Sequence, residues 1–279
     1  MDLAKWSRKF VHVSRPGWWH VTLFLYIMPA AMEPWRLLTW NGMLGLMFSL
    51  LPTNLTVYSM NDLRDFDIDH KNPRKGGLHG AVASKEDLTV CMVVGIISVL
   101  VFAPLLAGDF LWAMVWATIC IGVNWVYNFP PQLSRVPVLD MVCPMGYLLI
   151  IPFGSKVMGL PYWSGSMSLA RWPFMYIVFL VFRTQLWLQL MDIDEDREAG
   201  KRTTAVAAGR HLAAVGVFGI LLAEIIVSGF WPCLATQIWS AYSACVLALE
   251  LKMGSKKLTM ALMFLGGVIF SVPCTRCLA

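Results

Sequence analysis

Asn61-Asp62-Leu63-Arg64-Asp65-Phe66-Asp67-Ile68-Asp69 places four aspartates within eight residues at the end of a long apolar run. Carboxylates this close repel one another and lose hydration, so a cation normally sits among them, and a divalent metal is the natural one. If the preceding helix continues through the segment, Asp62, Asp65 and Asp69 fall at i, i+3 and i+7 on one face, and Asp67 points elsewhere. A second group, Asp192-Ile193-Asp194-Glu195-Asp196, closes another apolar segment. The same spacing gives Asp192, Glu195 and Asp196 a common face. Mg2+ suits two such faces, because it takes oxygen ligands, keeps several waters and is commonly completed by phosphate oxygens. The chemistry implied is metal-dependent handling of a phosphorylated substrate.

Base follows acid in both places. Asn72-Pro73-Arg74-Lys75-Gly76-Gly77 comes soon after the first group, and Arg197-Glu198-Ala199-Gly200-Lys201-Arg202-Thr203-Thr204 after the second. Arg74 and Lys75 read as part of a lid neutralising anionic oxygens, against the plainer reading of a solvated loop. With Glu198, nine of the seventeen acidic residues lie in or directly after the two clusters, more than solvation of a loop requires. In the stretch Tyr127 to Asp140 three prolines break the helix. There Tyr127 reads as an interfacial anchor or a substrate contact, and Asp140 as a cap or dipole partner or a substrate contact. The five histidines show no metal-binding spacing, and no G-x-x-x-x-G-K-[ST] loop occurs, so neither a zinc centre nor a P-loop is expected. Seven cysteines read as small core residues, and Cys274-Thr275-Arg276-Cys277 suggests no function.

The elements that must position these groups are membrane helices. With 58% hydrophobic and 14% charged residues over 279 positions, the chain lies outside the range of soluble domains. Nine apolar stretches approach the length needed to cross a bilayer: 18–32, 42–60, 88–106, 110–127, 138–159, 172–191, 212–229, 231–250 and 258–272. The first is short and the seventh and eighth nearly abut, so eight is the other count. With nine, seventeen of the 22 Lys and Arg residues fall on the side of the N-terminus and the even-to-odd loops. That asymmetry puts both acidic clusters on the cytoplasmic, matrix or stromal face. It also accounts for the net charge of +5 without nucleic acid. The expected architecture is an all-α membrane bundle forming one domain over 1–279. Residues 1–15 form an interfacial segment, and 61–87 and 192–211 form the motif loops.

A metal-bound anion at the mouth of an apolar bundle rich in Trp, Phe and Met describes a molecule with a diphosphate head and a hydrophobic tail, a polyprenyl diphosphate. Metal and Lys/Arg would stabilise the departing diphosphate, and a dry aromatic pocket the allylic cation left behind. At this point the chain resembles the UbiA superfamily of intramembrane prenyltransferases. Asn61-Asp62-x-x-Asp65-x-x-x-Asp69 is similar to that family's first aspartate-rich motif. Asp192-x-x-x-Asp196-x-x-x-Gly200-x-x-Thr203 is similar to its second. Ser14-Arg15-Pro16, Tyr127-x-x-Pro130-Pro131 and Arg135-x-Pro137-x-x-Asp140 also resemble the family pattern, in the expected order.

The resemblance implies nine helices around a central cavity open to lipid. It also implies a Mg2+-bound prenyl diphosphate held by Asn61, Asp62, Asp65, Asp69, Asp192 and Asp196. Asp62, Asp65, Asp192 and Asp196 are the expected catalytic carboxylates, and Arg74, Lys75, Lys201, Arg202 and Tyr127 the expected diphosphate contacts. Where quinone-pathway members commonly read N-x-P-x-R-P, this chain has Asn72-Pro73-Arg74-Lys75-Gly76-Gly77, which looks more like the branch acting on carotenoids, such as lycopene elongases. The function implied is prenyl transfer to a lipophilic acceptor, whether aromatic, quinone precursor or carotenoid. Two alternatives stay open: a terpene cyclase of the same superfamily, and a cation carrier or channel. The last would want charge along its spans, where, apart from Asp140 and Lys156 near the ends of the fifth, only Arg183, Glu224 and Glu250 occur.

Overall fold

The computed structural model describes residues 3–31, 33–69, 83–160, 172–230 and 233–278, and among them every regular element is helical. In chain order the helices are α1 (Leu3–Val13), α2 (Trp19–Ile27), α3 (Trp40–Phe48), α4 (Asn54–Arg64), α5 (Phe66–Asp69), α6 (Lys85–Ala107), α7 (Phe110–Asn128), α8 (Leu139–Val142), α9 (Ile150–Val157), α10 (Trp172–Met191), α11 (Ile193–Glu198), α12 (Thr204–Ala208), α13 (Arg210–Gly229), α14 (Leu234–Met253) and α15 (Lys256–Leu278). They form two compact units, Met1–Leu133 with Gly146–Leu160, and Ser134–Met145 with Pro161–Ala279.

Six helical stretches are long and apolar enough to cross a membrane among the described residues: Trp40–Arg64, Lys85–Ala107, Phe110–Asn128, Pro173–Met191, Arg210–Gly229 and Leu234–Met253. These coincide with six of the nine expected stretches, and α15 contains a seventh. The other two are not single helices. Residues 18–32 give the nine-residue α2 and a 3-10 turn, Met28–Ala30, that contains Pro29. Residues 138–159 give α8, a 3-10 stretch Cys143–Leu149 containing Pro144, and then α9 with Pro152. Proline has no N–H and its ring crowds the preceding turn, so apolar content there does not make a continuous helix.

In the first unit, α3 runs into α4 through a π-helical turn, Ser49–Thr53, built around Pro52. The proline deprives the Phe48 carbonyl of its usual partner, and the Thr53 hydroxyl donates to that carbonyl at 3.3 Å. Ser49 Oγ donates to Gly45 O and Asn54 Nδ2 to Leu50 O, while Thr22 Oγ1 donates to Asn54 Oδ1 at 3.1 Å. Side chains thus satisfy a broken stretch of backbone where lipid could not. Helix α1 is the expected amphipathic N-terminal helix, its Trp6 and Phe10 packed against Val13, Leu55, Leu88 and Cys91. Lys9 pairs with Asp87 at the start of α6.

Helix α6 lies very close to α4 at Gly95, where an added Cβ would meet Thr56 Oγ1 at 2.7 Å, Thr56 N at 2.9 Å and Thr56 Cα at 3.1 Å. Two of those atoms are backbone and cannot swing aside. Because α4 carries the first acidic motif, this contact helps to set the motif's height. Gly95→Ala is expected to lower stability by about 1–3 kcal/mol through overpacking, and Gly95→Leu by more. An unchanged melting temperature for detergent-purified Gly95→Leu would show that the approach is not tight.

In the second unit α10 packs on α13, α13 on α14 and α14 on α15. Its interior holds a closed polar network. Arg183 Nε donates to Glu224 Oε1 at 2.7 Å, Ser240 Oγ donates to Glu224 Oε2 at 2.7 Å, and the Tyr176 hydroxyl meets Ser240 Oγ and Thr236 O at 3.3 Å. Trp187 Nε1 donates to Glu250. The intramembrane charges foreseen in the sequence are therefore paired with each other or with local donors. Not every cysteine is a simple core residue: Cys233, at the cap of α14, is disulfide-bonded.

Candidate functional site

The first acidic motif does not continue its helix without a break. α4 stops at Arg64, Asp65 takes φ −95° and ψ 13°, and the four-residue α5 follows. The second motif repeats this local geometry: α10 stops at Met191, Asp192 takes φ −98° and ψ 12°, and α11 follows. In each motif one aspartate is the hinge between a long membrane helix and a short one. By that correspondence Asp62, three residues before the first hinge, matches Gln189, three before the second.

The breaks sort the carboxylates by environment. In the first motif Asp62 is buried, Asp65 half-buried and Asp67 exposed, where it pairs with Lys85 at 3.2 Å. Asn61 is half-buried, its carbonyl accepting from Asp65 N at 3.0 Å. Asp69 closes α5, and its side chain lies outside the described set, as do Arg74 and Lys75 altogether. In the second motif Asp196 is buried, Asp192 and Glu195 are half-buried, and Asp194 is exposed, bonded to Arg210 at 2.6 Å. Among the described side chains, the face expected for each motif is thus the less exposed one.

Asp62 is not alone at its position. Arg15, 5% exposed, holds it in a buried ion pair, and the Arg15 guanidinium lies 4.6 Å from the centre of the Tyr58 ring. Arg15 adopts a left-handed backbone (φ 53°) just before Pro16, which turns the chain into α2. Tyr147 is an electrostatic neighbour of Tyr58, Tyr127 and Arg15, which brings the expected Tyr127 into the same part of the first unit. Sequence reading gave Tyr58 and Tyr147 no role, and singled out Arg15 only within Ser14-Arg15-Pro16, naming no partner for it. Tyr58 was findable, since it precedes Asp62 by one helical turn on the same face. The pairing of Arg15 with Asp62 was not, because it is a tertiary contact.

Lys201 sits 3.5 Å from Asp196 Oδ1 with little exposure, whereas Arg202 is exposed. Backbone geometry places Lys201. Gly200, in the left-handed region at φ 66°, ends α11; Gly200 N donates to Arg197 O at 3.1 Å and Lys201 N to Asp196 O at 2.8 Å. Those are the two bonds of a Schellman turn. Gly suits the αL position because it has no Cβ to clash there.

These donors fit a hard divalent cation: all are oxygens, and the less exposed ones cluster at two helix breaks. They do not form a ready cage, since no three His, Cys, Asp or Glu side chains converge for a metal among the described residues. That suits Mg2+, which typically takes one or two carboxylates and draws its other ligands from water and substrate phosphate. The Arg15 and Lys201 partners hold the two buried aspartates meanwhile.

Comparison with known proteins converges on one family. A sequence model of the UbiA prenyltransferase family matches residues 19–261. A lycopene elongase/hydratase of Corynebacterium glutamicum is 29% identical over 77% of this chain and 75% of its own length. A 4-hydroxybenzoate octaprenyltransferase of Paracidovorax citrulli is 25% identical over 76% and 67%. Among solved structures, a UbiA homologue from Archaeoglobus fulgidus bound to GPP and Mg2+ shares the fold, with a TM-score of 0.68 and 15% identity, covering 97% of this chain and 99% of that one.

Proposed function

Because the chain belongs to the UbiA prenyltransferase family, a multi-pass membrane family, we propose that it transfers a prenyl group from an allylic polyprenyl diphosphate to a long, apolar acceptor of carotenoid type. The observation that carries this reading is the pairing of buried Asp62 with Arg15, one turn from half-buried Asp65. A carboxylate and a guanidinium held together at a helix break can serve a metal and a phosphate respectively. The lycopene elongases among the relatives, and the departure from N-x-P-x-R-P at residues 72–77, support the choice of acceptor.

In the reaction the allylic C–O bond breaks and diphosphate leaves with the electron pair. A C–C bond then forms between the allylic cation and a double bond of the acceptor, and the acceptor's cation loses a proton. Bound Mg2+ would neutralise charge on the diphosphate, held by Asn61, Asp62, Asp65 and Asp69 from one motif and Asp192 and Asp196 from the other. Arg15, Lys201 and Tyr127 then donate to phosphate oxygens as the leaving group gains charge. Arg74, Lys75 and Arg202 complete the set of cationic contacts. We further propose nine membrane passages, the first and fifth of them broken, with both motifs on the cytoplasmic, matrix or stromal side.

Diphosphate release by the purified protein tests this reading, using geranyl, farnesyl and geranylgeranyl diphosphates with lycopene, 4-hydroxybenzoate or no acceptor. Release is expected to need Mg2+ and lycopene. Release that needs 4-hydroxybenzoate instead would replace the acceptor class, and release without any acceptor would make the protein a cyclase.

A further inference from the structure

We propose that Asp140 is a positioning residue for the second acidic motif: it fastens the loop that follows Asp196 and so sets where Asp196 and Lys201 stand. The proposal rests on the reading that this motif serves the metal and the diphosphate.

Asp140 lies on α8, a four-residue helix too short to be stable by itself, yet its side chain has no exposure. Both carboxylate oxygens are engaged by one residue far along the chain. Thr204 N donates to Oδ2 at 2.6 Å, and Thr204 Oγ1 donates to Oδ1. Thr204 Oγ1 in turn accepts from Val138 N at 2.7 Å. Three hydrogen bonds therefore join residues 138–140 to residue 204.

The exchange also holds an unfavourable backbone. Val138 has φ 73° and ψ −48°, a region that a β-branched residue enters only under constraint. Such a residue persists where its surroundings over-determine it. Here the Val138 N–H is fixed by Thr204 and the residue two places on is fixed by the same threonine.

Thr204 begins α12, whose first three N–H groups all have side-chain acceptors. Thr204 N goes to Asp140, Ala205 N to Gln189 Oε1 at 3.2 Å, and Val206 N to Thr203 Oγ1 at 3.4 Å. Side chains thus cap three of the N–H groups at this helix end. Gln189 is on the last turn of α10, three residues before the hinge Asp192. The loop is thus tied to α10 through Gln189, to α8 through Asp140, and to α11 by the Gly200 turn that folds Lys201 onto Asp196. Freeing Thr204 from Asp140 releases the far end of the span that carries Lys201. Asp140 does this without touching substrate, since both of its oxygens are occupied and its side chain has no exposure.

The test compares Asp140→Ala, Asp140→Asn and Thr204→Val in detergent-purified protein, by two readouts. Amide hydrogen exchange over residues 199–208 is measured without substrate, and the Mg2+ requirement for diphosphate release is measured with it. Asp140→Ala is expected to speed exchange at Thr204 and to raise the Mg2+ requirement by about 10–100-fold, the range seen when an outer partner of a metal ligand is removed. Asp140→Asn should recover to within a few-fold, because its amide oxygen still accepts from Thr204 N and its NH2 can donate to Thr204 Oγ1. Thr204→Val, which keeps the backbone bond and loses both hydroxyl bonds, should fall between them, and it carries the test if Asp140→Ala does not fold.

Unchanged exchange with an unchanged Mg2+ requirement in Asp140→Ala overturns the proposal. So does a lowered melting temperature with no shift in Mg2+ requirement, the signature of a purely structural residue. An Asn variant as impaired as Ala, with its loop amides still protected, would make the charge itself the active feature and also overturn it. A wild-type protein without Mg2+-dependent release would sink the functional reading while leaving the exchange result to judge the clamp.

Discussion

Asp192→Ala is expected to lower kcat/KM for diphosphate release by about 10³-fold, the equivalent of about 4 kcal/mol of lost charge stabilisation at the metal. Asp192 is suited to truncation. It is half-buried at the junction of α10 and α11, and its own N–H already bonds to Leu188 O at 3.1 Å, so the fold should survive. Asp62 requires a milder change. Alanine there would take the Asp62 carboxylate from Arg15, which is 5% exposed, and loss of one member of a buried pair typically costs about 3–5 kcal/mol. Asp62→Asn keeps an acceptor for the guanidinium while removing the anionic ligand. Measured diphosphate release, with circular dichroism to confirm helical content, should show both variants folded and inactive. Full activity in either would remove the corresponding motif from the metal site.

Glu224→Leu should give a large stability loss, about 3–5 kcal/mol, because it takes both the counter-charge and the acceptor away from the buried Arg183 cation. Arg183 is 2% exposed and Glu224 has no exposure, and both lie inside membrane helices that form the core of the second unit. The paired replacement Arg183→Met with Glu224→Leu should recover much of that loss, since apolar residues of similar volume avoid the desolvation cost altogether. Thermal unfolding in detergent for both single variants and the double variant measures the coupling directly. If Glu224→Leu melts with the wild type, the carboxylate does not compensate Arg183 in solution. If the double variant is stable but inactive, the pair serves the reaction as well as the fold.

Much of the architecture was legible because hydropathy and helical spacing are local properties of the chain. Long apolar runs bounded by charge gave α6, α7, α10, α13 and α14 to within a few residues. The i, i+3 and i+4 spacing separated the sheltered Asp62, Asp65, Asp192 and Asp196 from the exposed Asp67 and Asp194. The same window misread residues 18–32 and 138–159, since it weighs apolar atoms and does not register the N–H groups missing at Pro29, Pro144 and Pro152. The spacing argument, which took the helix as continuing through each motif, did not register the breaks at Asp65 and Asp192, where the backbone turns.

What the sequence by itself determined is the membrane class, the two acidic motifs and the kind of ligand that their oxygen donors suit. These follow from composition and from neighbours within a turn or two. Only the tertiary structure decided which cation stands at each buried carboxylate, Arg15 at Asp62 and Lys201 at Asp196. It alone joined Asp140 to Thr204 and closed Arg183 on Glu224. The physical reason is that a charge buried in an apolar bundle must be paired at short range, and three of those four partners lie more than forty residues away along the chain. Lys201 is the near one, and even it reaches Asp196 only because Gly200 turns the backbone through a left-handed conformation.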